Sequence, residues 1–325
     1  MIILGTDMLK YILKRILMMI PVILMVILVV FLMLNSVSFG RGLHIHVFQG
    51  DLLDSVFRFL HIGDNWLGQY LRYSYNVFTK FDLGLASETN WKVSFEVSGR
   101  IIYTLRLTVY GLLAVILIGV PLGIVSAIHV NKWQDRVISV LSLFFSSIPN
   151  YCLAIFLVFI FSLWLEILPP MGITSWVSYI LPVAVISMEG IAQTVRMTRS
   201  IVLETLDKQF VTALRSKGIS ERNTIYKHVL RNSLVPIVSL LSQIATKVLC
   251  GTIIVETFFS IPGIGQYLIA AVRQRSYARI LGSSVMIAAL LMIIDIIADV
   301  LYLVINPAVR ANVLNSSGKQ AKTNA

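Results

Sequence analysis

Few side chains in this chain could do chemistry, and five of the ionisable ones sit inside long apolar runs. Glu189, Lys247, Glu256, Asp295 and Asp299 do so in a sequence of 325 residues that is 57% hydrophobic and only 13% charged. A charge within a bilayer is costly and faces a bundle interior or a water-filled path. These five are therefore candidates for lining a translocation path or for pairing helices. Asp295 and Asp299, four residues apart, share one helix face. They suit either a proton or cation relay or a structural pairing in which Lys247 is a partner. Other chemistries lack their signatures: the sequence has no G-x-x-x-x-G-K-[ST] nucleotide loop, no H-E-x-x-H and no G-x-S-x-G. His44-x-His46 and His61 fall short of a metal-ligand set, and Cys152 and Cys250 read as small buried hydrophobes. The expectation is a chain with no catalytic residue, no metal and no cofactor of its own.

The elements that must position these residues are membrane spans. Soluble domains carry about 25% charged residues, far above this chain. Six stretches reach the roughly 20 apolar residues a crossing helix needs, near 12–34, 102–128, 137–165, 177–195, 236–258 and 282–305. Ser146-Ser147-Ile148-Pro149-Asn150 interrupts the third, which is expected to be one long, kinked or tilted helix because either half alone is too short to cross. Pro121 and Pro182 mark kinks or entry points. The formal charge of +11 follows the positive-inside rule rather than marking a nucleic-acid surface. Residues 35–101 carry six basic and six acidic side chains and form an external cap, whereas 196–231 carries eight basic and three acidic and belongs inside. Arg273, Arg275 and Arg279 are the exception, three cations on the expected outer side.

The basic stretch has internal grammar. Asp207 is the expected N-cap of a short amphipathic helix with Phe210, Val211 and Leu214 on one face. Gly218 supplies a left-handed stop. Ser220 then caps a second helix that ends before Pro236.

With these motifs in view, 207–236 resembles the cytoplasmic EAA loop of permease subunits in binding-protein-dependent ABC importers. The triplet positions are Thr212-Ala213-Leu214, the glycine is Gly218 and the proline is Pro236. Their 18-position spacing is similar to that of the dipeptide, oligopeptide and nickel branch. Further landmarks resemble the first, B-type permease of that branch: Leu9-Lys10-Tyr11-Ile12-Leu13-Lys14-Arg15, Phe81-Asp82-Leu83-Gly84, Arg100-x-x-x-Thr104-Leu105, Leu168-Pro169-Pro170-Met171-Gly172, and the run from Val255-Glu256-Thr257 to Pro262-Gly263-Ile264-Gly265. The chain departs from the pattern at Ser38-Phe39-Gly40-Arg41, Arg275-Ser276-Tyr277-Ala278 and Asn306-Pro307-Ala308.

The resemblance implies an all-α integral membrane protein with six transmembrane helices, like the type I importer permeases, in a prokaryotic cytoplasmic membrane with both termini cytosolic. Segment 1–34 is then the N-terminal segment and first helix, 35–101 the external cap, 102–310 the permease core containing the coupling loop 196–235, and 311–325 a disordered tail. It also implies a second homologous permease, two ATPase subunits holding ATP and Mg, an extracytoplasmic binding protein, surrounding lipid and no nucleic acid. Phe210, Val211, Thr212, Ala213, Leu214, Arg215, Lys217 and Gly218 would couple to the ATPase, with Phe210, Val211 and Leu214 as anchors. Arg273, Arg275 and Arg279 are candidates for contacting the binding protein or lining an outer gate, with lipid-headgroup contact the alternative. The implied cargo is a dipeptide or oligopeptide; the alternatives are nickel or a small sugar, or, in another class, an ion-coupled carrier using Asp295 and Asp299. An ATP-driven importer needs no proton relay, which favours structural pairing for those two aspartates.

Overall fold

A computed structural model describes residues 3–37, 66–86 and 89–305. The histidines His44, His46 and His61, the Ser38–Arg41 and Asn306–Ala308 motifs and the tail 311–325 lie outside the described residues. Helix α1 spans Ile3–Val37, α2 Trp66–Lys80 and α3 Val93–Ala114. A π-helical turn, Val115–Gly119, leads into α4, Val120–Ile128, with Pro121 in its first turn. The helix is continuous from Val93 to Ile128, so Pro121 lies inside it, and the widened turn before it absorbs its ring. Helix α5 (Trp133–Ser147) and α6 (Asn150–Val158) follow, then α7 (Ile180–Leu206), α8 (Gln209–Ser216), α9 (Glu221–Asn223), α10 (Leu230–Phe258), α11 (Ile264–Gln274) and α12 (Tyr277–Ile305). Among the described residues, five helices are long and apolar enough to cross a membrane, and a bent pair, a broken span or a re-entrant loop, brings the total to as many as six.

That bent pair corrects the expectation of one long third helix. The α5 axis and the continuation of α6 through Trp164 differ by 102°. Ile148 is extended (φ −89°, ψ 121°), as the residue before a proline must be to avoid its ring. Pro149 then opens α6. The expectation that the second cytoplasmic helix ends before Pro236 is also corrected. The helical run from Glu221 to Phe258 passes through Pro236, at the loss of one backbone hydrogen bond. Helices also overshoot their apolar cores, α3 beginning at Val93 and α7 ending at Leu206, because backbone hydrogen bonding does not stop where hydropathy falls.

The chain forms two compact units, one built around Leu107–Gly251 with the chain from Ile294, the other around Leu13–Arg106 and Thr252–Ile293. In the first, Gly119-x-x-x-Gly123 lets α4 lie directly on α7. A Cβ at Gly123 would stand 2.7 Å from Thr198 Cβ and 2.8 Å from the Val195 carbonyl oxygen, the close approach that small residues permit between membrane helices. In the second, Phe81-Asp82-Leu83-Gly84 is held by its own polar groups. The Asp82 carboxylate accepts the Gly84 N–H at 3.0 Å, and Gly84 (φ 91°) accepts from Val93 N–H at 3.0 Å. Leu83, fully buried, lies against Gly282, where any side chain would collide with Val93. Tyr73, also fully buried, donates to the Leu83 carbonyl. Burial first, and then Asp82, push its phenol well above the usual range.

Candidate coupling loop and intramembrane charges

The basic loop folds as a short helix pinned to its own protein on one side. The helix start differs from expectation. Asp207 closes α7, and Lys208 occupies the N-cap position of α8 without a side-chain cap bond. The stop is as expected from Gly218, which is left-handed at φ 75°. Gly218 N–H donates to the Arg215 carbonyl at 2.9 Å, and Ile219 N–H to the Leu214 carbonyl at 3.3 Å. That is the Schellman pairing, which satisfies two otherwise orphaned carbonyls. Ser220 sits at the N-cap of α9, and Arg215 closes the turn with a fork onto Glu221, Nη2 to Oε1 at 2.6 Å and Nε to Oε2 at 3.1 Å. Glu221 in turn raises the Arg215 pKa.

Of the residues expected to anchor an ATPase, two point the other way. Val211 is 0% exposed. It packs in one apolar cluster with Ala127, Val202 and Val229, and Phe210 is partly buried against the same cluster. Leu214 is half-buried, while Thr212, Ala213, Arg215, Lys217 and Gly218 are exposed. A large aromatic missed in the sequence joins them: Tyr226 is 60% exposed on the following turn. The moment of an eight-residue helix shows that it has an apolar face, but not which body that face meets.

Two arginines counted with the loop fasten helices. Arg199 grips Asp135 through Nε (2.8 Å) and Nη2 (2.9 Å). Asp135 also accepts Ser126 Oγ at 2.6 Å and the Asn131 N–H at 3.0 Å. Arg196 donates to the Ser142 carbonyl and to Ser146 Oγ, both at 3.2 Å. The arrangement ties α5 and the α4–α5 turn to α7, the helix that leads into α8. The signal was present as Arg196-x-x-Arg199, two cations on adjacent turns of one face, but its acidic partner lies more than sixty positions away.

The five intramembrane ionisable residues do not form one group. Asp295 accepts Thr246 Oγ1 at 2.7 Å, and Lys247 donates to Gln193 Oε1 at 3.0 Å. The expected Lys247–Asp295 pairing is thus replaced by two bonds to neutral partners. Glu189 is exposed and Asp299 half-buried.

Glu256 has a positioning role. It is fully buried, and its Oε2 accepts the N–H groups of Gly265 (2.7 Å) and Gln266 (3.1 Å). Thr104 Oγ1 accepts the Ile264 N–H at 2.9 Å. The first turn of α11 is thus capped by side chains from α10 and α3, with a carboxylate at its positive end. This explains the glycines of Pro262-Gly263-Ile264-Gly265. A Cβ at Gly263 would lie 2.2 Å from Glu256 Cδ, and one at Gly265 2.5 Å from Ile253 Cα.

The outer arginines separate as well. Arg273 and Arg275 are exposed, Arg275 ending α11 in the left-handed region at φ 56°. Arg279 is 9% exposed, which withdraws it from the surface contact expected of it. Its Nη2 and Nε reach Glu96 at 3.0 and 3.1 Å, its Nη1 reaches Gln274 at 2.9 Å, and Thr89 completes the shell. Tyr267 donates to the same carboxylate. Burial first, then Glu96, raise the Tyr267 phenol above its usual range, so it remains a donor. Arg100 stacks over the Tyr267 ring at 4.8 Å. Arg100-x-x-x-Thr104 therefore presents two residues of one face to α11, and this motif and the Glu256–Gly265 run are parts of a single construction. The cysteines, read as buried, are free, Cys152 half-buried and Cys250 exposed.

Residues 119–311, which include α7, the whole loop and α10, match the family of binding-protein-dependent transport system inner membrane components. The chain belongs to this family. It is similar over nearly its whole length to the glutathione transport system permease protein GsiC of Escherichia coli (strain K12), 31% identical over 305 residues, covering 93% of this chain and 99% of that protein. The counterpart in Shigella flexneri serotype 5b (strain 8401) matches to the same extent. That of Salmonella choleraesuis (strain SC-B67) is 34% identical over 229 residues, 70% of this chain and 75% of that protein. The protein is thus a multi-pass membrane permease of an ABC importer, a class that works with an ATPase and a binding protein. The all-α architecture of the described residues agrees.

Proposed function

We propose that this permease carries short peptides inward, delivered by an extracytoplasmic binding protein and driven by ATP hydrolysed on partner subunits. One observation carries the cargo: the match to glutathione permeases extends over both chains almost end to end, and glutathione is itself a short peptide. The complex would hold a second, homologous permease and two ATPase subunits with their ATP and Mg, both termini of this chain facing the cytosol. Burial of Arg279 against Glu96 supports that topology, because it removes one cation from the outer-side exception to the charge rule. Exposed Arg273 and Arg275 remain the candidates for touching the binding protein.

In this reading the exposed side of α8 (Thr212, Ala213, Arg215, Lys217) and Gly218 meets the ATPase. Closure of the ATPase dimer on ATP draws the docked loops together and opens the path outward; hydrolysis resets it. Reconstituted complex in proteoliposomes tests the class and the cargo together. Peptide uptake should need ATP, the ATPase subunits and the binding protein. Uptake by this chain alone under a proton gradient would instead establish an ion-coupled carrier, and uptake of nickel or a sugar without peptide would replace the cargo.

The loop carries its own test. Gly218→Val forces a β-branched residue to φ 75°, at about 1–2 kcal/mol, and breaks the Schellman stop. The complex is expected to insert and hydrolyse ATP, with uptake per ATP falling several-fold. Unchanged coupling would remove α8 from the docking surface.

A further inference from the structure

Glu189, Gln193, Lys247 and Asn150 line one open, shallow depression in the first unit, walled by the apolar Ile186 and Ile244. Its depth follows from helix geometry. Lys247 precedes the end of α10 at Phe258 by roughly 16 Å, at 1.5 Å per residue, and Glu189 follows the start of α7 at Ile180 by roughly 14 Å. Both distances are close to half of a hydrocarbon core about 30 Å thick. Glu189 and Lys247 are nonetheless exposed on the surface of this unit. Lipid cannot be their neighbour without a large penalty, so this face lines a water-filled path or the interior of the assembled bundle.

The two charges are of opposite sign but are not spent on each other. Lys247 uses Gln193 Oε1, a neutral acceptor, at 3.0 Å, and no ion pair joins it to Glu189 within the described residues. Asp295, the expected partner of Lys247, instead accepts from Thr246 at 2.7 Å. What is left is an ammonium and a carboxylate with amide groups and aliphatic walls. That set complements a small zwitterion with a peptide backbone.

Resting on the peptide reading above, we infer that this depression is a transport subsite for peptides with free termini. Lys247 takes the terminal carboxylate, Glu189 the terminal ammonium, and Asn150 and Gln193 the peptide amide. The site lies in the permease and so acts after the binding protein has released its load.

The test uses the complete importer in proteoliposomes, supplied with a dipeptide, its C-terminal amide or its N-acetyl form, each at a concentration that saturates the binding protein. Lys247→Met should lower maximal uptake of the free dipeptide about tenfold, the scale of a lost hydrogen bond to a charged group, and change uptake of the amide far less. Glu189→Gln should show the same selectivity between the free and N-acetyl forms. Lys247→Arg should retain the preference for a free carboxylate. Equal losses for capped and free peptides, or no loss in either variant, overturn the subsite. If Lys247→Met fails to assemble, the Glu189→Gln comparison decides. A wild-type complex that moves no peptide overturns the cargo reading and the subsite with it, whereas wild-type peptide uptake with indifferent variants overturns the subsite alone.

Discussion

Replacing Gly265 with alanine is expected to cost this permease about 4 kcal/mol or more, the range reserved for core collisions and buried unsatisfied groups. The added methyl would lie 2.5 Å from Ile253 Cα and 2.9 Å from Glu256 Oε2. The first of these contacts is backbone and cannot rotate away. The second disturbs the carboxylate that caps α11. Membrane accumulation should fall, and the melting temperature of the detergent-purified complex should drop by several degrees. Gly263→Ala differs in kind, because the three atoms nearest its methyl all belong to the Glu256 side chain, at 2.2–2.4 Å. Truncating that side chain should relieve the clash, so Gly263→Ala with Glu256→Ala is expected to cost less than the sum of the singles. Gly265→Ala with Glu256→Ala should show much less relief. Strict additivity in both pairs would mean that the carboxylate does not occupy this position.

The second large effect is expected at Asp135, buried at 5% exposure. Asp135→Ala removes the acceptor of two Arg199 bonds, a serine hydroxyl and a backbone N–H. Arg199 keeps 30% side-chain exposure, so the stranded charge is partly solvated and the loss is about 1–3 kcal/mol, the scale of hydrogen bonds to a charged group. Arg199→Ala with Asp135→Ala should therefore melt closer to wild type than Asp135→Ala alone. Arg199→Lys keeps the charge but loses the bidentate fork, and should fall between Arg199→Ala and wild type. The transport readout should follow, since α7 runs from this clamp directly into the coupling loop. Peptide uptake per ATP in Asp135→Ala should fall even at temperatures where the complex remains assembled. A variant that melts like wild type and transports normally would show that the clamp holds nothing.

How far the sequence reaches depends on the range of the interaction. The apolar runs placed five spans within a few residues at one end or both, because hydropathy is a property of each segment alone. Gly218 was legible for the same reason: a left-handed stop is a local requirement. Pro149 was legible as an interruption but not as a 102° break, since proline dictates the extended Ile148 while the direction taken afterwards depends on packing. Residues that act across long separations were misread or missed. Glu256 was open between lining a path and capping or pairing helices, and the Gly265 and Gln266 N–H groups decide for the cap. Arg279 looked like a surface cation until Glu96, more than 180 positions earlier, enclosed it. Phe210 and Val211 were correctly seen to share an apolar face, but the body covering that face is the permease's own Ala127, Val202 and Val229.

That inward seat of Val211 dictates how a load applied to α8 can travel. The helix is only eight residues long, and its one fully buried side chain touches segments on both sides of it in sequence and the helix before α5. A push on the exposed Thr212–Ala213 side cannot be dissipated by α8 sliding over an oily surface, because sliding would pull Val211 out of a dry socket. Displacement must instead pass at once into the ends of α4 and α7 and the start of the α10 run. If α8 is the docking element proposed above, it would work as a stud fixed in the frame, and stroke length would be determined by the frame's own compliance.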